Sequence, residues 1–238
     1  MQELVPQPSR AGVSANFDQA GTQVLNRDNF DIKINWNQSD SLSIWGKYSA
    51  LDAEFQCTPA LGQGQGPGLC SGAAGENVTI DQTSTIGFSK TLSPTFLWDG
   101  TFGWTRHGNN SGTFVEQGTN FGLDVLRIPG TNGPDPRQSG IPRFSISGYE
   151  TLGNPSGWQP NYYGDTTFSI DQNFSLLRNS HNLRFGFQGL RHHMNHWQPE
   201  IGGGPRGRFD FNRGITGLNG GPSLNQFNAY ASFLLGLP

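Results

Sequence analysis

The chain has 238 residues, of which 33% are apolar and 14% charged, with a formal net charge of -3 and a mean hydropathy of -0.51. That apolar share is thin for a globular protein of this size, which must fill a sizeable core, yet 17 Phe, 6 Trp and 5 Tyr are far too many aromatics for a disordered chain. The acidic balance, with no basic stripe, excludes a nucleic-acid partner, and no apolar run is long enough for a membrane helix.

Residues 1–27 read as a loop segment. No positively charged stretch followed by an apolar one occurs there, so no signal peptide is expected. Next comes "NFDIKINWNQSDSLSIWGKYS", which alternates as a β-hairpin does. Phe30, Ile32, Ile34 and Trp36 take one face; Asp31, Lys33, Asn35 and Asn37 take the other. After a turn expected at residues 38–40, Leu42, Ile44 and Tyr48 continue the apolar face, and Trp45 breaks the pattern.

Residues 51–77 read as a long excursion. Cys57 and Cys70 flank its Gly/Pro-rich centre, "TPALGQGQGPGL". A loop disulfide in an oxidising compartment is the expected state, two unrelated thiols the alternative.

A second hairpin follows in "TSTIGFSKTLSPTFLWDGTFGWTR", turning at residues 92–95, where Pro94 ends the first strand. Phe96, Trp98, Phe102 and Trp104 face one way; Asp99, Thr101 and Thr105 face the other, with Leu97 an exception. Residues 107–164 form another Gly/Pro/Asn-rich excursion, and "FSIDQNFSLLRNSHNLRFGFQGL" then gives a third hairpin turning at residues 178–181. A last excursion begins near Met194. Within the excursions, "RFSISGY" and "GRFDFNRG" alternate and are able to pair above the membrane, while "NQFNAYASFLLGLP" fits a strand or one or two helical turns.

Short turns therefore lie at one end of an up-and-down sheet and long excursions at the other. Outer-membrane barrels have that asymmetry, and about ten residues per strand is what a tilted strand needs to cross a bilayer. The expected fold is all-β: an antiparallel up-and-down transmembrane β-barrel segment of about six long strands, an incomplete barrel. Its parts are the 1–27 loop segment, three transmembrane hairpins over 28–198 with two long extracellular loops, and an extracellular loop over 199–238. The Phe/Trp face meets lipid. Trp36 and Trp98 near the turns and Tyr48 and Trp104 further up suit two interfacial aromatic girdles. The polar face lines a wet lumen, with Asp31, Lys33, Asp99, Asp171 and Arg184 pointing inward, where the cations are able to pair with the acids.

In order and spacing, "NFDIKINWNQSDSLSIWGKYS", "LWDGTFGWTR", "NFGLDVLRIPGTNGPDPRQSGIPRFSISGY", "SHNLRFGFQGLRHHMNHWQP" and "NAYASFLLGLP" resemble the Oar-like TonB-dependent outer-membrane transporters, from about Asn26 to the end. The resemblance implies a large plugged barrel in the bacterial outer membrane, a carboxypeptidase-regulatory-like domain on the periplasmic side, and energy delivered through TonB. Neither a plug nor enough strands for such a barrel is read in these residues, so the chain is expected to be an internal fragment of a longer transporter or the product of a broken gene. Its expected partners are outer-membrane lipid, the missing plug and remaining strands, the TonB complex through that plug, and an unknown bulky solute.

No catalytic residue, metal or cofactor is expected. "RHHMNHW" places His192 and His196 on one face, but no acidic or Cys ligand stands nearby in sequence. "GGGPRGR" lacks the ending of a phosphate loop. Solute contacts are expected from the excursions, where Trp158, Tyr162 and Tyr163 lie among Asn, Gln and Pro. The competing readings are a soluble or surface-attached carbohydrate-binding adhesin module and a secreted β-sandwich hydrolase with its site near the histidines.

Overall fold

The computed structural model of the chain describes residues 1–70, 74–112, 118–154, 156–199, 206–221 and 224–238. The chain runs through β1 (Gln23–Ser39), β2 (Leu42–Cys57), β3 (Gly75–Ser93), β4 (Phe96–Gly112), the short β5 (Arg143–Ile146) and β6 (Leu152–Gly153), then β7 (Asn161–Arg178), β8 (His181–His193), β9 (His196–Trp197), β10 (Arg208–Phe211) and the α-helix α1 (Gln226–Leu234). The six long strands pair antiparallel in the order β1, β2, β3, β4, β7, β8, and β9 adds to β7. The fold is all-β, and the sheet is open: among the described residues, β1 and β8 each have a single hydrogen-bonded neighbour.

All three hairpins close through two residues, at 40–41, 94–95 and 179–180. All three turns are tighter than the residue pattern predicts. Asn179 sits at φ 55, in the left-handed region that two-residue hairpin turns use and that Asn tolerates.

The long strands correct the expected length. They run from 13 residues in β8 to 19 in β3. Their ends away from the turns, such as residues 51–57 of β2 and 107–112 of β4, fall in segments that the sequence reads as excursion, because the alternation of polar and apolar residues fades there. β3, the longest, also carries Gln82 and Ser84 in the middle of its apolar face, which hides its period. The excursions between long strands shrink to 58–74 and 113–160.

The buried core does not lie on this sheet. It lies in a small cap built from the excursions. There β5 and β10 pair in parallel, with Phe144 opposite Phe209 and Ile146 opposite Phe211, and β6 adds to β5. The segment "NAYASFLLGLP" forms α1, capped by the Asn225 side chain, which accepts from the Phe227 N–H at 2.9 Å. Phe144, Ile146, Leu152, Phe211 and Ala229 are buried together. Phe233 packs edge-on against Phe211 at 5.2 Å and against Phe144 at 6.3 Å. Tyr149 lies 5.1 Å from Tyr230, and burial there raises the Tyr149 phenol above its ordinary pKa. Cys57 and Cys70 are joined by a disulfide that ties the end of β2 to the first excursion, with Cα atoms 6.0 Å apart.

Candidate functional site

Register carries one apolar stripe across all six long strands. Trp36, Ile44, Phe88, Gly100, Gln172 and Phe187 follow one another from β1 to β8 in one row. Two residues further from the turns, the row is Ile34, Gly46, Ile86, Phe102, Ile170 and Gly189. The next runs Ile32, Tyr48, Ser84, Trp104, Phe168 and Arg191. These side chains pack sideways, and among the described residues nothing covers this face: Ile34 is 64% exposed, Phe102 49% and, nearer the turns, Phe185 56%. A soluble sandwich would seal that face under a second layer, so the structure runs against the soluble readings. From Phe168 to Leu176 is roughly 27 Å of strand at about 3.4 Å per residue, and a tilt of about 40° leaves roughly 21 Å of height, close to the about 25 Å of an outer-membrane apolar band.

Near the turns, aromatic rings bridge four strands. Phe88 meets Trp98 edge-on at 4.7 Å, Trp98 stacks on Phe174 at 5.9 Å, and Phe174 stacks on Phe185 at 5.3 Å. Two polar groups on this face are satisfied locally, as an apolar medium demands. The Trp98 indole N–H donates to Gln172 Oε1 at 2.8 Å, and Gln82 Nε2 donates to the Tyr48 hydroxyl at 3.0 Å. Gly100 lies directly opposite Gln172, and a Cβ at Gly100 would collide with that amide.

The opposite face is hydrophilic. Asp31, Lys33, Asp99, Asp171 and Arg184 all fall on it by register. Asp31 accepts from Lys47 Nζ at 3.2 Å and from the Ser49 hydroxyl. Asp171 accepts from Thr101 Oγ1 at 3.4 Å. Among the described residues, Lys33 and Arg184 form no ion pair with these acids. Lys33 instead lies over the Trp45 ring, 5.1 Å from its centre. Trp45, which breaks the alternation, thus stands on the polar face opposite Gly87.

Sequence reasoning missed a further polar group on this face. Asp81 pairs with His107 Nδ1 at 2.5 Å, and Asp165, opposite His107, accepts from His196 Nε2 at 2.7 Å and from the Asn195 N–H at 3.1 Å. These residues lie in the upper strands, where no period marks them out.

The three loop aromatics are not brought together. Tyr162 and Tyr163 are neighbours on β7 and point to opposite faces. Tyr162 lies 5.7 Å from Trp197, and Tyr163 lies 4.2 Å from His196 and donates to Gln198 Oε1 at 2.5 Å. Trp158 is 54% exposed. His192 bonds Thr167 at 2.9 Å, apart from the His196–Asp165 pair, and no group of three or more His, Cys, Asp or Glu among the described residues is placed to hold a metal ion. Residues 202–205 of "GGGPRGR" lie outside the described residues.

A family described as "Outer membrane beta barrel domain" matches residues 1–238. No curated protein and no solved structure matches the chain.

Proposed function

The chain belongs to the outer membrane beta barrel domain family, and from that premise we propose that it forms part of the wall of a TonB-dependent transporter that moves a bulky solute across the outer membrane. The observation that carries the reading is the two-sidedness of the open sheet. One face is an exposed, mostly apolar belt; the other is mostly polar, interrupted by Trp45, Leu97 and Leu190. Lipid would cover the first. A plug and water would meet the second, where Asp31, Asp99, Asp171 and Arg184 offer charge. The unpaired edges of β1 and β8 call for further strands, since an open edge is not tolerated in hydrocarbon. Polar residues at the excursion end, Asp81, His107, Asp165 and His196, support a wet vestibule there. The reading assigns the chain no catalytic step.

The test is energy dependence. Outer membranes carrying the whole transporter to which this wall belongs should take up solute only while the inner membrane is energised, and the whole transporter in a planar bilayer should show no steady conductance. An open, unenergised pore would overturn the plugged transporter and leave a passive channel.

A further inference from the structure

Beyond the apolar belt, on the excursion side, the outward face is divided by charge. On β1, β2 and β3 it carries Asp28, Asp52, Glu54 and Glu76, with Asp28 directly opposite Asp52. On β4, β7 and β8 the same face carries no carboxylate, because Asp99, Asp165 and Asp171 all fall on the polar side. Its charges there are basic. Arg106 stands opposite Thr166, Thr166 opposite His193, and Arg191 opposite Phe168. All three basic side chains are exposed, and none makes an ion pair among the described residues. His193 rests edge-on against Phe168 at 5.9 Å. Two strand spacings, about 10 Å, separate Arg106 from His193, and two residues, about 7 Å, separate His193 from Arg191. Side chains of that length converge on one group a few ångströms across.

We propose that Arg106, Arg191 and His193 bind the phosphate monoester of an outer-leaflet lipid. The proposal rests on the membrane-wall reading above. Three observations support it. The basic groups sit at the polar margin of the belt, beside the Trp104–Phe168 row, which is the depth of a headgroup. An arginine deeper in hydrocarbon would be costly, whereas at this level it meets anionic headgroups. The guanidinium fork matches phosphate oxygens bidentately. Acyl chains of the same molecule would lie on Phe102 and Ile170 directly below. The acidic half of the rim, on β1 to β3, would repel the same headgroup, so binding is confined to one side of the wall.

The chain is inserted in phosphatidylcholine vesicles containing a minor fraction of phosphatidic acid, with bromine on the acyl chains of one lipid or the other. Quenching of tryptophan by brominated phosphatidylcholine reads insertion. Excess quenching by brominated phosphatidic acid reads the site. The excess should weaken about fivefold for each of Arg106→Gln and Arg191→Gln, while Arg208→Gln in the cap leaves it unchanged. Phosphatidylcholine quenching should be equal in all variants, which shows that they insert. Normal insertion with no preference for phosphatidic acid would overturn this inference alone. Loss of the preference in inorganic phosphate would make the site one for free phosphate and overturn the lipid. No quenching by either lipid would overturn the wall reading and this inference with it.

Discussion

Trp45 faces Gly87 across β2 and β3, and its indole occupies the space where a Cβ at residue 87 would stand. A bare glycine in a strand interior is usually a weakness, and an aromatic ring laid across it from the next strand restores the missing contact. Lys33 closes the arrangement from β1, above the same ring. Gly87→Val should evict the ring and destabilise the sheet by about 1–2 kcal/mol, within the range of overpacking. Urea unfolding in detergent, followed by tryptophan emission, measures this; an unchanged midpoint would mean that the ring does not need the space.

Trp98 and Gln172 should be coupled. Trp98→Phe leaves the Gln172 amide without its donor in an apolar medium, at about 1–3 kcal/mol. Gln172→Leu strands the indole N–H in the same way. The double variant should recover most of the loss, and a double-mutant cycle in lipid reads the difference. Additive losses would show that the bond at 2.8 Å contributes nothing.

Neighbouring residues on β4 should respond oppositely to the same charge. Phe102→Arg, on the apolar face one row below headgroup depth, should cost about 1–2 kcal/mol, between the interfacial and midplane values, whereas Thr101→Arg, on the polar face, should cost little. Unfolding by guanidinium from lipid vesicles distinguishes them. Equal costs would contradict the assignment of faces.

Reducing the Cys57–Cys70 bond should loosen the excursion it closes. The chain-entropy relation gives about 3 kcal/mol for a loop of this size. Cys57→Ser with Cys70→Ser should therefore raise protease cutting within 58–69, with the long strands still protected. Cutting of the strands first would show that the bridge holds the wall rather than the excursion.

Acid should release the second excursion from β9. The Asp135 side chain accepts from Arg137, chiefly from its guanidinium and then from its backbone N–H, and this holds the carboxyl below its ordinary pKa of 3.8. Arg137 in turn lies over Trp197, 5.0 Å from the ring centre. A depressed carboxylate pKa stabilises the folded loop above the unfolded value and loses that contribution as pH falls through the lower folded value. Trp197 emission should hold steady down to about pH 4 and change below it, and Asp135→Asn should show the acid emission already at neutral pH. A transition near pH 6 would point to histidine instead.

The three hairpins and their two faces are legible in the sequence because lipid and water impose opposite demands on alternate residues. Phe102 beside Asp99 and Thr101 is enough to orient β4. Where both sides of a strand are wet, as around Asp81 and His107, nothing in the order of residues marks a strand. The polar cluster there was therefore out of reach. Trp45 reads as an error until Gly87 and Lys33 are seen beside it. In the cap, the alternation of residues 143–149 and 207–214 announces strands, but their parallel pairing depends on contacts that no local pattern encodes. The segment "AYASFLL" fits a strand as well as a helix, and burial of Ala229 and Phe233 against Phe144 and Phe211 decides for the helix.

The cap draws Met1 and Val5, Leu61, Phe144 and Phe211 into one nucleus from four distant stretches of chain. Joining stretches so far apart must wait until the intervening hairpins have shortened the distance between them, because the entropy of closing large loops is otherwise unrecovered. The wall is therefore expected to assemble before the cap, and once the cap is set, a pull on any one of these four stretches is felt by the other three.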